Sequence, residues 1–299
     1  MAKQSLATRA TKPLVLTKLM LVGARTPRRQ TPTNAGLEYE SVTFPATDGV
    51  KLSGWFIPRE GEGPGPVVLF VHGWLWNRLG NISGRVPFTD RDVDFLPATK
   101  ALHDAGYHVL LFDLRHHGES GRGRAPLTYG PRETRDYIGA VNYLRSRPDV
   151  DGERIGAIGT SMGGNTIMYG TPHCQPIKAL LAVQPTRLHT FNTRFARDEL
   201  GPLGPASLAP IDWMYAALRL PRPTKHDPGS AAPELGDTVV QYVQGTGDPW
   251  GTMEIIDEFA AKTPNALPVV RFPSEGRYEG YRYVSERVDD VVGFFREHL

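Results

Sequence analysis

Ser161 stands in Gly159-Thr160-Ser161-Met162-Gly163, between the apolar run Arg154-Ile155-Gly156-Ala157-Ile158 and a helix-forming stretch, Asn165-Thr166-Ile167-Met168-Tyr169. A serine at a sharp strand-to-helix turn is held in a strained, exposed conformation, and glycines two residues before and after it relieve the crowding. Its chemistry is nucleophilic attack on an acyl carbonyl. Val71-His72-Gly73-Trp74 suits the same reaction. The glycine lets the backbone pass close to the site, and the N–H of Trp74 can pair with that of Met162 to hold the developing oxyanion. Two further polar turns follow apolar strands. Asp113-Leu114-Arg115-His116-His117-Gly118-Glu119-Ser120 is suited to bracing the site, and Gly245-Thr246-Gly247-Asp248-Pro249-Trp250 brings a carboxylate to the same rim.

The elements that must position these residues are legible in the pattern. Segments 37–44 and 50–57 alternate and are rich in β-branched and aromatic residues, with Thr47-Asp48-Gly49 between them, which predicts an antiparallel hairpin. Continuous apolar runs at 66–71, 108–112, 154–158 and 178–183 read as strands buried on both faces, and 238–244 and 267–272 complete the set. Helices are expected over 95–105, 132–147, 252–262 and 284–298. Strands alternating with helices imply a largely parallel sheet with helices on both faces. Residues 185–235 break this rhythm. They are rich in Pro and Gly, carry an apolar helical piece at 211–220, and read as a lid over the carboxyl ends of the strands.

With its Gly-x-Ser-x-Gly turn, His-Gly turn and Asp-x-Arg-x-His-Gly-x-Ser loop in this order, the chain resembles the α/β-hydrolase superfamily, and most of all its bacterial serine esterases. The resemblance covers residues 37–299. It implies an α/β-hydrolase fold, with a mostly parallel eight-stranded sheet, helices on both faces and the short lid insertion. It also implies Ser161 as nucleophile, Trp74 and Met162 as oxyanion donors, and Asp248 as the triad acid. One position departs from the family. A Gly-His pair is expected after the eighth strand, where this chain reads Pro273-Ser274-Glu275-Gly276-Arg277-Tyr278-Glu279-Gly280-Tyr281. Arg277 falls where the histidine belongs, and Tyr278 would take its place in a loop one residue longer. Arginine stays protonated and cannot accept the serine proton. Tyrosine, with a pKa of about 10, is a poor base at neutral pH. In serine hydrolases, loss of the base costs on the order of 10⁴ to 10⁶ in rate.

Other histidines are less well placed for the role. His116 and His117 lie near the rim but read as supports of their loop, and His189 and His226 lie in the lid region, within reach of Ser161 if it folds over. His72 belongs to the oxyanion turn, while His103 and His108 read as structural. A metal site from Asp113, His116 and His117 is disfavoured because adjacent residues of an extended turn point apart. Residues 156–159 do not follow the dinucleotide-binding glycine pattern, so no cofactor is expected.

Bulk properties bound the rest. The chain has 299 residues, 40% hydrophobic and 22% charged, the proportions of a globular protein with a substantial core. One cysteine, Cys174, excludes an intramolecular disulfide framework and fits a cytoplasmic location. The net charge is only +2, but Lys3, Arg9, Lys12, Lys18, Arg25, Arg28 and Arg29 all precede the first acid, Glu38. Residues 1–36 therefore form a basic arm and linker. An arm packed on the catalytic domain is the leading reading, with weak contact to an anionic membrane surface and a signal peptide as competitors. The basic stretch lacks interleaved aromatics, which argues against a nucleic-acid partner. The expected function is that of a serine hydrolase acting on a small-molecule ester or acyl compound, with Trp76, Trp213 and Trp250 lining an apolar pocket and the general base non-standard or missing. The alternative is a non-hydrolytic protein of the same fold, a lyase, cyclase or ligand binder using Arg277 or Tyr278.

Overall fold

The structure, a computed structural model, describes residues 14–15, 17–81 and 93–299. Its centre is an eight-stranded sheet built from β1 (Glu40–Pro45), β2 (Lys51–Ile57), β3 (Gly65–Val71), β4 (His108–Phe112), β5 (Val150–Thr160), β6 (Ala179–Val183), β7 (Val239–Gly245) and β8 (Val270–Phe272). The strand order is β1-β2-β4-β3-β5-β6-β7-β8. β1 and β2 pair antiparallel, as does β2 with β4, and every other pairing is parallel. The continuous apolar runs follow from this topology. Along β3, Val67, Leu69 and Val71 enter the core on one face, while Val68 and Phe70 enter the core on the other. A strand covered on both faces has no polar side to show.

Helices α1 (Leu96–Asp104), α2 (Thr134–Arg145), α3 (Met162–Gly170), α6 (Met253–Lys262) and α9 (Val288–His298) cover the two faces. The lid insertion holds α4 (Leu188–Leu200) and α5 (Leu208–Ala217). The sequence pattern missed α4, and it missed that the carboxyl-terminal segment is three helices: α7 (Arg277–Tyr281), α8 (Tyr283–Glu286) and α9. β8 is also shorter than expected, because Pro268 can donate no ladder hydrogen bond and regular pairing with β7 resumes only at Val270.

The Asp113–Ser120 loop is a brace made of buried charge. Asp113 accepts from Arg78 Nη2 at 2.6 Å and from the backbone N–H of Arg78 at 2.8 Å and Glu119 at 2.9 Å. Arg115 donates to Asp136 and to Asp48, each at 2.8 Å. Ser120 Oγ donates to Asp113 O and accepts from Ser53 N, tying the loop to β2. The amino-terminal arm packs over this loop. Residues 17–22 are helical, Met20 is buried, and Arg25 donates to Gly118 O and Ser120 O at 2.7 Å each. Lys3, Arg9 and Lys12 lie outside the described residues. Among the described residues, no helix is long and apolar enough to cross a membrane.

Removing one member of a buried ion pair leaves the other charge unpaired in low dielectric. Arg78→Met is therefore expected to lower stability by about 3–5 kcal/mol. Urea denaturation read by circular dichroism checks this, and an unchanged midpoint would show that Asp113 finds other support.

Candidate active site

The serine turn is enforced by close packing of backbone. Ser161 has φ 52° and ψ −115°, a conformation that L residues rarely adopt. A side chain at Gly159 would sit 2.6 Å from Gly163 O, and one at Gly163 only 1.8 Å from Val71 O. α3 can leave β5 at this angle only with glycine at both places. The Ser161 N–H donates to Val183 O at 2.9 Å, which fixes the turn to β6. Met162 opens α3, so its N–H is one of the first-turn donors that have no acceptor within the helix.

The His72-Gly73-Trp74 turn follows β3 on the neighbouring strand end. A Cβ on Gly73 would lie 3.4 Å from Ser161 Cβ, so this backbone passes directly beside the serine. Leu75, with φ 65°, donates its N–H to His117 Nε2 at 3.3 Å. His72 accepts from Leu114 N at 3.0 Å. The histidines of the brace thus hold the His72-Gly73-Trp74 turn as hydrogen-bond acceptors.

Arg277 lies between Asp248 and Ser161. It is buried, its Nη1 is ion-paired with Asp248, and its Nη2 donates to Gln184 O at 2.9 Å and reaches Ser161 Oγ at 3.4 Å. Asp248 is also held by Gln244 Nε2 at 3.0 Å and by Trp250 N at 2.9 Å. Burial works against the guanidinium charge, but the carboxylate of Asp248, with Tyr281 and Tyr278 nearby, raises the pKa of Arg277 above its ordinary value. At this site Arg277 is a permanent cation. Gln184, itself at φ 51°, donates to Arg277 O at 2.7 Å, so the residue is clasped at its main chain as well as its side chain.

Two cavities meet at the serine. One is lined by Trp74, Trp76, Ser161, Phe191, Arg277, Tyr278 and Tyr281. The other is lined by Trp74, Tyr129, Ser161, Met162, Asn165, Thr186, Leu188 and Phe191. None of the nine histidines, all of which are described, lines either cavity. His226 points its Nε2 at Tyr129 O, 2.9 Å away, and His189 faces a separate cavity bounded by the arm and α5. Of the aromatic residues expected at the pocket, Trp76 lines it. Trp250 sits behind it, packed edge-on against Phe191, with its Nε1 donating to Asp198 Oδ2 at 2.7 Å. The expectation for Trp213 is corrected: it projects from the outer face of α5 with 69% of its surface exposed and lines neither cavity. Tyr278 lines the first cavity beside Arg277 and does not replace it. Among the described residues, no group of three or more His, Cys, Asp or Glu is arranged to hold a metal.

Residues 68–286 match the model of the alpha/beta hydrolase family. The chain belongs to that family. The Pyrococcus furiosus esterase Pf2001 superposes with a TM-score of 0.70 at 25% identity, covering 93% of this chain and 98% of the esterase. Among curated proteins, YfhR of Salmonella typhimurium, itself uncharacterised, is 36% identical over 140 residues, which is 46% of this chain and 42% of YfhR. The thiohydrolase aneE of Aspergillus aculeatus is 29% identical over 195 residues, 65% of this chain and 56% of aneE. The chain spans about half the length of these curated relatives.

Within this α/β hydrolase, several residues around the serine escaped the sequence reading, among them Phe191, Gln184 and Tyr281. Phe191 comes from α4, whose signal was the helical spacing of Leu188, Phe191 and Phe195. Gln184 directly follows β6, and nothing local marks it. Tyr281, buried beside Trp76 at a ring separation of 5.0 Å, has no hydrogen-bond partner of good geometry for its Oη among the described residues. Burial pushes its phenol pKa up, which the nearby Ser161 hydroxyl and Arg277 only partly oppose.

Buried histidines are expected to make this α/β hydrolase less stable in acid. Burial lowers the pKa of His72, brings that of His117 to about 3 and that of His226 to about 4. The unfolded chain binds these protons below about pH 6.5 and the folded chain does not, so stability is full above that pH and falls as pH drops toward 4. Each such histidine contributes up to about 1.4 kcal/mol per pH unit. Urea titrations between pH 7.5 and 5 check this, and a flat profile would contradict it.

Proposed function

We propose that this α/β hydrolase is a serine-type acyl hydrolase in which Ser161 attacks an ester or thioester carbonyl and no side chain takes its proton. The single observation that carries this reading is Arg277 between Asp248 and Ser161, in contact with both. In the proposed reaction the bond from Ser161 Oγ to the acyl carbon forms as the carbonyl becomes an oxyanion. In this reading the N–H groups of Met162 and Trp74 hold that oxygen. The hydroxyl proton passes to water or hydroxide, because Arg277 has no free base to offer. The guanidinium instead stabilises the serine in its deprotonated form, electrostatically and by the Nη2 contact.

This arrangement selects among substrates by leaving group. A thiolate or aryl oxide departs without taking a proton, whereas an alkoxide departs poorly unless it is protonated. The thiohydrolase relative and the esterase neighbour support acyl substrates of these classes. The aromatic walls of both cavities suit an apolar or aromatic acyl group.

Two outcomes are expected. First, kcat/KM on an aryl ester or thioester rises about tenfold per pH unit from pH 6 to 9 without a plateau, since hydroxide supplies the base. Arg277→His introduces a plateau near neutral pH and raises the rate at pH 7 by about 10² to 10⁴. Second, a fluorophosphonate forms a single slow covalent adduct, read by intact mass, that Ser161→Ala abolishes. Turnover equal in wild type and Ser161→Ala would sink the reading. A folded protein that forms no adduct would favour a ligand-holding or lyase-like role instead. The Tyr281 hydroxyl, near Ser161 and beside the Arg277 cation, supports that second reading, since together they could bind and polarise a carbonyl.

A further inference from the structure

Every large hydrophobic side chain exposed among the described residues lies on one of two segments. Leu14, Val15 and Val22, at 74%, 46% and 37% exposure, belong to the amino-terminal arm. Leu203, Trp213 and Leu218, at 85%, 69% and 54%, belong to the lid on and around α5. The two segments are neighbours. Met20 and Leu21 share the walls of one cavity with Leu208, Ile211 and Tyr215, and Thr17 and Met20 meet Leu208 and Ile211 at another.

α5 itself is unusual for a surface helix, which normally turns a polar face to water. Its exposed positions are Ala209, Pro210, Trp213, Ala216 and Ala217, with no charge among them. Its one ionisable acid, Asp212, is turned inward, ion-paired with Arg222 and accepting from Thr224 N at 3.0 Å. Asp212 is also the only acid between residues 201 and 226. The same stretch exposes Arg219 and Lys225, and the arm exposes Lys18. An apolar helix face followed by exposed cations, in a stretch 201–226 that exposes no acid, is the pattern of an interfacial surface.

We propose that the outer face of α5, with the segment that follows it, docks on an anionic lipid bilayer. Trp213 and its apolar neighbours enter the headgroup boundary, and Arg219 and Lys225 meet lipid phosphates. The charge pattern favours this occupant over a second copy of the chain, because a two-fold contact would bring cations against cations. The inference stands apart from the chemistry at Ser161. It also carries a consequence for that site: the lid that docks is the lid that supplies Phe191 to both cavities.

The test is sedimentation of the full chain with large vesicles of phosphatidylcholine alone and of phosphatidylcholine mixed with phosphatidylglycerol. Binding is expected only to the mixed vesicles, with at least about tenfold weaker affinity in the Trp213→Ser/Leu218→Ser double variant. It should also weaken steeply as salt approaches about 1 M. A urea midpoint equal to wild type keeps the double variant interpretable, since both side chains are exposed. Wild type remaining in the supernatant with mixed vesicles would overturn the proposal, as would equal binding by the variant. A concentration-dependent dimer in ultracentrifugation, abolished by the variant and without vesicle binding, would assign the face to a second copy instead.

Discussion

The contact between α3 and the end of β3 is the constraint on which this structure depends. With no Cβ on Gly163, helix backbone lies directly against Val71 O, and Ser161 is forced into a left-handed conformation at the crossing. That strain is held by the Ser161 N–H bond to Val183 O and by a core that closes on both sides of the sheet. The same crossing sets the first N–H of α3 beside the serine and passes the Gly73 backbone close by. The positions of Ser161 and of the Met162 N–H are therefore one geometric fact.

Around that point the site is built from charge that cannot leave. A buried guanidinium is tolerable only with a paired carboxylate and satisfied donors. Arg277 has both, in Asp248 and in the carbonyl of Gln184. Both stabilise a cation beside the serine. The position has thus become electrostatically consistent with arginine, down to the Gln184 side chain that holds its main chain. Asp248 still faces the serine, but through a group that donates protons and does not accept them.

The brace beneath the oxyanion turn works on the opposite principle. His72 and His117 are buried as neutral acceptors for backbone N–H groups, while Arg78 and Arg115 neutralise Asp113 and Asp136. The arm reinforces the brace from outside, and Trp74 Nε1 donates to Leu19 O at 3.1 Å. Residues far apart in sequence therefore converge on the single turn that carries the Trp74 N–H.

The sequence alone determined most of the strands and the serine turn, because each is written locally. Two-sided burial demands continuous apolar runs, and a serine at positive φ demands glycines at fixed offsets. Trp213 shows where such reading stops: composition made it a pocket residue, yet only the packing of α5 decides which way it points. Phe191, Gln184 and Tyr281 reach the serine through the fold of the lid and of α7, and their neighbours in sequence say nothing of that distance. Whether Arg277 or Tyr278 would face the serine was likewise open. The tertiary structure decided it, because only Arg277 begins α7 at the angle that reaches both Asp248 and Gln184, and a buried cation goes where its counter-charge is.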